Sequence, residues 1–261
     1  MTTERGPNGG VQAVSRALHL LELLSSSDNG CRLKELSRRS GLAASTTHRL
    51  LTTLYERNFV AFDRETFTWR IASNALSVGS AFLRRRRLQD IALPKMHKLA
   101  QNCGATVNLG ILLDRSVLLL EQVFVARSGT SPLAHGARLP LHVSAMGKIL
   151  LLSEERRQRE AILCESLLRR ITRHTITQPR QLSREIEAAA DHGFATDDEE
   201  SEIGKRCVAA PIYDERGNVM AALSLSAHRA TLPDGLLAST TLRLTAASKE
   251  ITHACGGYIQ S

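Results

Sequence analysis

The sequence predicts an α+β fold in two parts, a small helical domain that ends in a β-hairpin and a larger domain with helices on an antiparallel sheet. Three observations support this prediction. Apolar residues recur every three or four positions in the first third of the chain, and two short alternating runs follow them. Beyond Gly104, strand-like runs come in pairs joined by polar turns, with helical segments between and after the pairs. Basic residues are concentrated at the start, where residues 1–94 contain 14 Lys and Arg against 8 Asp and Glu.

The first two helices of the small domain follow from the spacing of apolar residues. One helix begins near Val11, and its predicted buried stripe consists of Val14, Ala17, Leu18, Leu21 and Leu24. A second, short helix has Leu33 and Leu36 on its inner face, and it stops at Gly41, where glycine tolerates a positive φ. Two helices and a tight turn are therefore expected before the third helix.

A third helix is predicted over about residues 43–57. Its inward positions are Thr47, Leu50, Leu51 and Leu54, and its outward positions include Ser45, His48, Arg49 and Thr52. The order is helix, helix, glycine turn, helix. This arrangement places the last helix in the major groove of DNA. The peptide N–H groups near Ser45 and Thr46 also suit a phosphate oxygen.

A β-hairpin wing is predicted after this helix, because the alternating runs 59–62 and 67–71 flank a polar tip at 63–66. The residues predicted to contact DNA are Lys34, Ser45, Thr46, His48, Arg49, Thr52, Arg64 and Arg70. Since most of the net charge of +8 lies in this third of the chain, double-stranded DNA is the favoured partner. The alternative is a helical domain that docks another protein, with Arg49 solvated.

A long helix is predicted from about residue 74 to residue 102, with Pro94 marking a break or a kink near its middle. The four arginines at 84–87 interrupt this helix and span a full turn, so they cannot all face one partner. The predicted organisation is a winged helix-turn-helix domain at 1–73, a linker helix at 74–93 and an antiparallel-sheet domain at 94–261.

The second domain is predicted from its order of elements, two strands, helices, two strands and a final helix. The strands are 105–112, 117–125, 207–213 and 219–226, and the helices are 145–152, 154–163, 180–192 and 233–255. Alternation in the last strand puts Ser224 and Ser226 on one face, and composition alone favours a solvent-exposed face. Near Ala145 a strand end or loop runs into a helix, whose free N–H groups can hold a carboxylate.

The chain resembles the IclR family of bacterial transcriptional regulators from about residue 11 to residue 256. The resemblance is carried by three ordered stretches, GLAASTTHRLLTTLYERNFV, GARLPLHVSAMGKILL and DDEESEIGKRCVAAPIYDERGNVMAALSLSA. It implies an N-terminal winged helix-turn-helix and a C-terminal effector-binding domain of GAF- or profilin-like type. It also implies a homodimer or a dimer of dimers, whose operator binding responds to a small carboxylic or aromatic acid. The function implied is a regulator of a catabolic operon, with a repressor favoured, and not an enzyme.

The same resemblance implies an effector pocket in which the backbone N–H groups of Ala145 and Met146 hold a carboxylate. Its other implied residues are Leu139, Asp197, Cys207, Ser224 and Ser226. Lys205 stands where relatives often have an apolar pocket residue, so it either turns outward or meets a more negatively charged effector. Ser128 and Ser131, at the matching lid positions, are more polar than expected.

The acidic run at 197–202 and the nearby Cys207 leave two other function classes open. A metal sensor would use Asp197, Asp198, Glu199 and Glu200 together with His192, and an enzyme would use Cys207 as nucleophile with His142 or His192 as base. The spacing matches no known metal cage and no local catalytic signature, so no cofactor is predicted. The acids that follow Asp197 are expected to be solvated, with Lys205 or Arg206 as possible partners.

The cysteine content and the hydrophobicity pattern indicate the cellular compartment of the protein. The five cysteines are widely spaced and lack metal-binding patterns, so they are expected to be reduced thiols. No run approaches 18 uninterrupted apolar residues, and the polar N-terminus lacks the apolar core of a secretory signal. A cytoplasmic protein with no membrane partner is expected.

Overall fold

The structure, a computed structural model, describes residues 11–27, 29–84, 87–165 and 168–259. The chain forms two compact units, residues 1–85 and residues 86–261. The α+β fold is confirmed, with a helix-turn-helix and a hairpin in the first unit and an antiparallel sheet with helices in the second. Among the described residues, no helix has the length and apolar character needed to cross a membrane.

The first unit contains the predicted helices and wing. Its elements are α1 (Gln12–Ser25), α2 (Leu33–Ser40), α3 (Ala44–Glu56), β1 (Val60–Asp63), β2 (Thr68–Ile71) and α4 (Ser73–Arg84). Gly41 ends α2 with a φ of 67°, as the turn requires. The antiparallel pair β1 and β2 forms the wing, and Trp69 on β2 packs in the core with Leu20, Leu36 and Leu51.

The predicted buried stripe of α1 is wrong in part. Leu20 and Leu24 are the buried residues of the helix, whereas Val14 is 57% exposed and Leu18 is 55% exposed. The apolar stripe of α1 is wider than the surface that α2 and α3 can cover, and the covered edge lies around Leu20. The outer edge of the stripe is left as an apolar surface of this unit.

Of the break or kink predicted at Pro94, the break does not occur, because α5 runs from Arg87 to Cys103 with Pro94 inside it. Proline inside a helix removes one hydrogen bond and costs about 3 kcal/mol. Burial of the α5 residues Ala92, Met96 and Leu99 in the core of the second unit offsets that cost. Arg85 and Arg86 of the predicted arginine turn lie outside the described residues.

The second unit is built on one antiparallel sheet. Its strands are β3 (Thr106–Leu113), β4 (Ser116–Val123), β5 (Arg138–Pro140), β6 (Ala195–Asp198), β7 (Lys205–Tyr213) and β8 (Val219–His228), in the spatial order β5-β4-β3-β8-β7-β6. Its helices after α5 are α6 (Ala145–Leu150), α7 (Arg156–Glu165), α8 (Pro179–His192) and α9 (Asp234–Ala254). The short edge strands β5 and β6 were not among the predicted strands.

Both faces of this sheet are covered. Leu223 and Leu225 of β8 pack with α5 and α9 on one face, and Ala222 packs with α6 and α8 on the other. The face of Ala222 also carries Ser224 and Ser226, which are only 2% and 6% exposed. The expectation of a solvent-exposed face is therefore wrong, because α6 covers the hydroxyl groups.

Candidate functional site

A small cavity of about 70 Å³ lies between the sheet and the start of α6. All of the residues predicted for the effector pocket line it: Leu139, Ala145, Met146, Asp197, Cys207, Ser224 and Ser226. Asn108, Ser201 and Lys205 line it as well. The lining thus combines apolar walls with several buried polar groups, which is the usual composition of a small-molecule site.

The sheet side of the cavity is assembled by strand register. Asn108 on β3 lies opposite Ser224 on β8, Ser226 lies opposite Cys207 on β7, and Cys207 lies opposite Asp197 on β6. Neighbouring strands of an antiparallel sheet hold such opposed side chains on the same face. The consecutive strands β6, β7 and β8 and the distant strand β3 therefore present polar groups to one space.

Asn108 connects these polar groups, and the sequence reasoning missed it. Its amide nitrogen donates to the Oγ atoms of Ser224 (3.3 Å) and Ser226 (3.2 Å), and its amide oxygen accepts from the Nε2 atom of Gln122 at 2.8 Å. Ser226 Oγ in turn donates to Cys207 Sγ at 3.2 Å. An amide side chain within the otherwise apolar stretch 107–113 was the signal that could have identified Asn108.

The start of α6 forms the opposite wall. Ser144 caps the helix by accepting a hydrogen bond from the N–H of Gly147 at 3.3 Å. The N–H groups of Ala145 and Met146 lie in the first turn, and they donate to no other group within the described part of the chain. Residue 147 must be glycine, because a Cβ there would collide with the carbonyl oxygen of Leu141.

Asp197 organises the loop that closes the cavity. Its Oδ1 atom accepts from the N–H groups of Glu200 (2.8 Å) and Ser201 (3.2 Å), and its Oδ2 atom accepts from Ser201 Oγ at 2.6 Å. Burial raises the pKa of Asp197, and these hydrogen bonds oppose the rise. Three donors from the loop therefore hold a carboxylate that is only 1% exposed.

The expectation that the acids after Asp197 are solvated holds for Glu202, which is exposed, and is wrong for Asp198, Glu199 and Glu200. Asp198 accepts two hydrogen bonds from Arg206, at 2.9 Å each, and Glu199 accepts one from Arg229 at 2.7 Å. Of the predicted partners, Arg206 therefore pairs with the run, whereas Lys205 forms no ion pair within the described chain. The described residues contain no group of three or more His, Cys, Asp or Glu side chains placed to hold a metal ion.

Glu200 belongs to a buried ion pair beneath the cavity. Its Oε1 atom accepts from Lys148 Nζ at 2.6 Å, and Lys148, which is 1% exposed, also donates to the carbonyl oxygen of Thr196 at 2.9 Å. The hydroxyl groups of Thr172 and Thr175 donate to the main-chain oxygen of Glu200. The chain segment next to Asp197 is therefore fixed from α6 and from the loop before α8.

The geometry does not favour a cysteine nucleophile. Burial raises the pKa of Cys207 to about 12, and the charge of Asp197 adds to the rise, so the thiol stays protonated near neutral pH. His142 instead contacts the carbonyl oxygen of Arg169 at 2.9 Å, and His192 stacks on Phe194.

The two serines at the implied lid positions differ in environment. Ser128 is fully buried, and its hydroxyl group contacts those of Thr106 (3.0 Å) and Thr130 (2.8 Å). Ser131 is exposed. Neither residue is among those that line the cavity, so the structure does not bring them together with the predicted pocket residues.

The predicted DNA-contacting residues lie on the surface of the first unit. Ser45, His48 and Arg49 of α3, Lys34 of α2 and Arg64 at the wing tip are exposed, and Thr46 and Thr52 are half-buried. Arg70 forms an ion pair with Asp63 at 2.6 Å inside the wing. His48 and Tyr55 each meet the ring of Trp69 edge-on, so the wing supports α3.

Comparison with known proteins gives one family match in the first part of the chain and a second match in the remainder. The IclR helix-turn-helix domain matches residues 13–64, and the C-terminal domain of bacterial transcriptional regulator IclR matches residues 80–253. The acetate operon repressor of Salmonella typhimurium is 36% identical over 251 residues, covering 95% of this chain and 92% of that protein. The HTH-type transcriptional regulator BhcR of Paracoccus denitrificans is 35% identical, covering 94% of this chain and 88% of that protein.

A solved structure shows the same architecture. It is an IclR homolog from Microbacterium hydrocarbonoxydans in complex with 4-hydroxybenzoate, with a TM-score of 0.81 and 26% identity, covering 94% of this chain and 99% of that one. These relatives are named as regulators and repressors rather than enzymes. The chain therefore belongs to the IclR family of bacterial transcriptional regulators, with a DNA-binding helix-turn-helix domain followed by an IclR C-terminal domain.

Proposed function

We propose that the protein is a cytoplasmic repressor of a catabolic operon, and that a small organic acid bound in the cavity changes its affinity for the operator. The observation that carries this proposal is the cavity itself. On one side are the N–H groups at the start of α6, which have no acceptor within the described chain, and on the facing sheet are buried hydroxyl groups. Such a combination can hold a carboxylate at one end and hydrogen-bond a second polar group at the other.

DNA binding in this proposal uses α3 in the major groove and the wing on the backbone. Arg49 and His48 project from the exposed face of α3, whose opposite face is held in the core by Thr47 and Leu51. The exposed side chains of Lys34 and Arg64 contact phosphates in this proposal, and so does Arg70, which in this structure is paired with Asp63. The organisation proposed with it is a DNA-binding domain at 1–73, a linker helix at 74–93 and an effector domain at 94–261.

The effector in this proposal is compact. In the proposed mode, the N–H groups of Ala145 and Met146 hold its carboxylate, and Ser224 and Ser226 face its other end. A relative was crystallised with 4-hydroxybenzoate, which supports an acid as the ligand class. A cavity of about 70 Å³ favours an acid smaller than an aromatic ring, because an engineered cavity that admits benzene measures about 150 Å³.

The proposal includes assembly as a homodimer or a dimer of dimers. The exposed apolar side chains of Val14 and Leu18 on α1 offer a surface that a second copy can cover. Binding of the acid alters DNA affinity only if the acid prefers one arrangement of the paired helix-turn-helix domains. We propose that this is the arrangement that does not bind the operator.

A gel shift on the DNA upstream of the protein's own gene tests both parts of the proposal. We expect a retarded band that is released by at least one acid from a panel containing glyoxylate, pyruvate, malonate and 4-hydroxybenzoate. Sodium chloride at equal ionic strength is the control, because salt alone weakens DNA binding. A complex that forms but resists every acid would contradict the effector, and the absence of a complex would contradict repression at this site.

A further inference from the structure

Lys205 is the unusual feature of the cavity. Strand alternation places it on the same face of β7 as Cys207, and its side chain lines the cavity. Burial raises the pKa values of Asp197 and Cys207, and the charge of Lys205 opposes both shifts. The ammonium group is therefore near both side chains, and the outward orientation considered for Lys205 does not occur.

This ammonium group has no acceptor among the residues that the structure describes. Within the described ranges, Lys205 forms no side-chain hydrogen bond and no ion pair, although an ammonium carries three donors. Asp197, whose carboxylate lines the same cavity, already accepts three hydrogen bonds from Glu200 and Ser201. Lys148 differs from Lys205, because its ammonium group donates hydrogen bonds to the Glu200 carboxylate and to the carbonyl oxygen of Thr196.

The cavity thus presents two separate groups of donors to an anion. One group is formed by the N–H groups of Ala145 and Met146, and the other is the ammonium of Lys205. A monocarboxylate offers a single carboxylate to these groups. A compact dicarboxylate can satisfy both, and hydrogen bonds between charged groups are the stronger kind.

We propose that the effector is a short-chain dicarboxylate, and that Lys205 selects it over monocarboxylates of similar size. The proposal rests on the proposed effector function of the cavity and specifies its ligand. One carboxylate lies against the start of α6 and the other against Lys205. Asn108, Ser224 and Ser226 line the space between them.

Isothermal titration calorimetry with the full chain tests the proposal, using oxalate and malonate against glyoxylate and acetate. We expect wild type to bind a dicarboxylate at least about tenfold more tightly than either monocarboxylate, since a hydrogen bond to a charged group contributes about that factor. Lys205→Met should lose this preference and retain its monocarboxylate affinity, and Lys205→Arg should keep the preference. Lys249→Met, which removes an exposed lysine of α9, is the matched control and should bind as wild type does.

The outcomes separate this inference from the function on which it rests. Equal affinities of wild type for both acid classes, or an unchanged preference in Lys205→Met, would overturn the role of Lys205 and leave an acid effector in place. Binding of no acid at all would overturn the effector function and the inference together. Circular dichroism of each variant establishes that a lost preference is not a loss of fold.

Discussion

Lys148→Met is expected to lower the free energy of unfolding by about 3 to 5 kcal/mol, the cost of leaving a buried charge without its partner. Lys148 is 1% exposed, and its ammonium group lies 2.6 Å from the Glu200 carboxylate. Methionine fills a similar volume but cannot compensate that charge. Urea denaturation followed by circular dichroism measures the change.

The loss should depend on pH. Burial raises the pKa of Glu200 to about 7, and the charge of Lys148 opposes the rise, so the pKa goes higher still in Lys148→Met. A carboxyl group whose pKa is higher in the folded than in the unfolded protein stabilises the fold fully at pH values below its unfolded-state pKa. This stabilisation is lost as the pH rises through its folded-state pKa. The deficit of the variant should therefore be larger at pH 8 than at pH 6.

Two further variants control this experiment. The double variant with Lys148→Met and Glu200→Met removes both charges. It should recover much of the lost free energy of unfolding, because an apolar pair of similar volume often replaces a buried ion pair without penalty. Lys249→Met removes an exposed lysine and should stay within about 0.5 kcal/mol of wild type. A Lys148→Met protein as stable as wild type at pH 8 would show that the ion pair does not support this loop.

Arg49→Ala is expected to weaken operator binding by about 1 to 3 kcal/mol, which is the usual effect of removing an arginine that contacts a base. The exposed side chain of Arg49 lies on the face of α3 opposite the buried residues Thr47 and Leu51. Its removal should leave folding unchanged. Fluorescence anisotropy with labelled operator DNA measures the dissociation constant.

The matched control for this variant is Arg216→Ala. Arg216 is an exposed residue in the turn between β7 and β8 of the second unit, so its removal changes the net charge equally. It should leave operator affinity nearly unchanged. Equal operator affinities of Arg49→Ala and wild type would remove α3 from the proposed contact with DNA.

Local sequence patterns were sufficient to predict which residues are buried in elements that bury a single, well-defined face. The recognition-helix prediction placed Thr47 and Leu51 inward and Arg49 outward, and the structure agrees. The α1 prediction failed because periodicity defines an apolar stripe but not which edge of it the neighbouring helices cover. Leu20, at the covered edge, was not in the predicted set.

Long-range partners could not be predicted from local sequence. The acidic run is locally a solvated segment, yet Lys148 lies 52 positions from Glu200 and Arg229 lies 30 positions from Glu199. Asn108 joins the cavity through Ser224, 116 positions away. The cavity residues themselves were named from the family resemblance and from alternation along β8, and the role of each in effector binding stays a prediction.

The central claim is that the cavity and the DNA-binding surface are coupled, and binding linkage tests it most directly. Calorimetry gives the affinity of the most tightly bound acid for the free protein and for the protein saturated with operator DNA. If the acid weakens operator binding by some factor, operator DNA must weaken acid binding by the same factor. We predict matching factors, each roughly 5- to 150-fold. An acid that binds equally well to the free and the operator-bound protein would contradict the account.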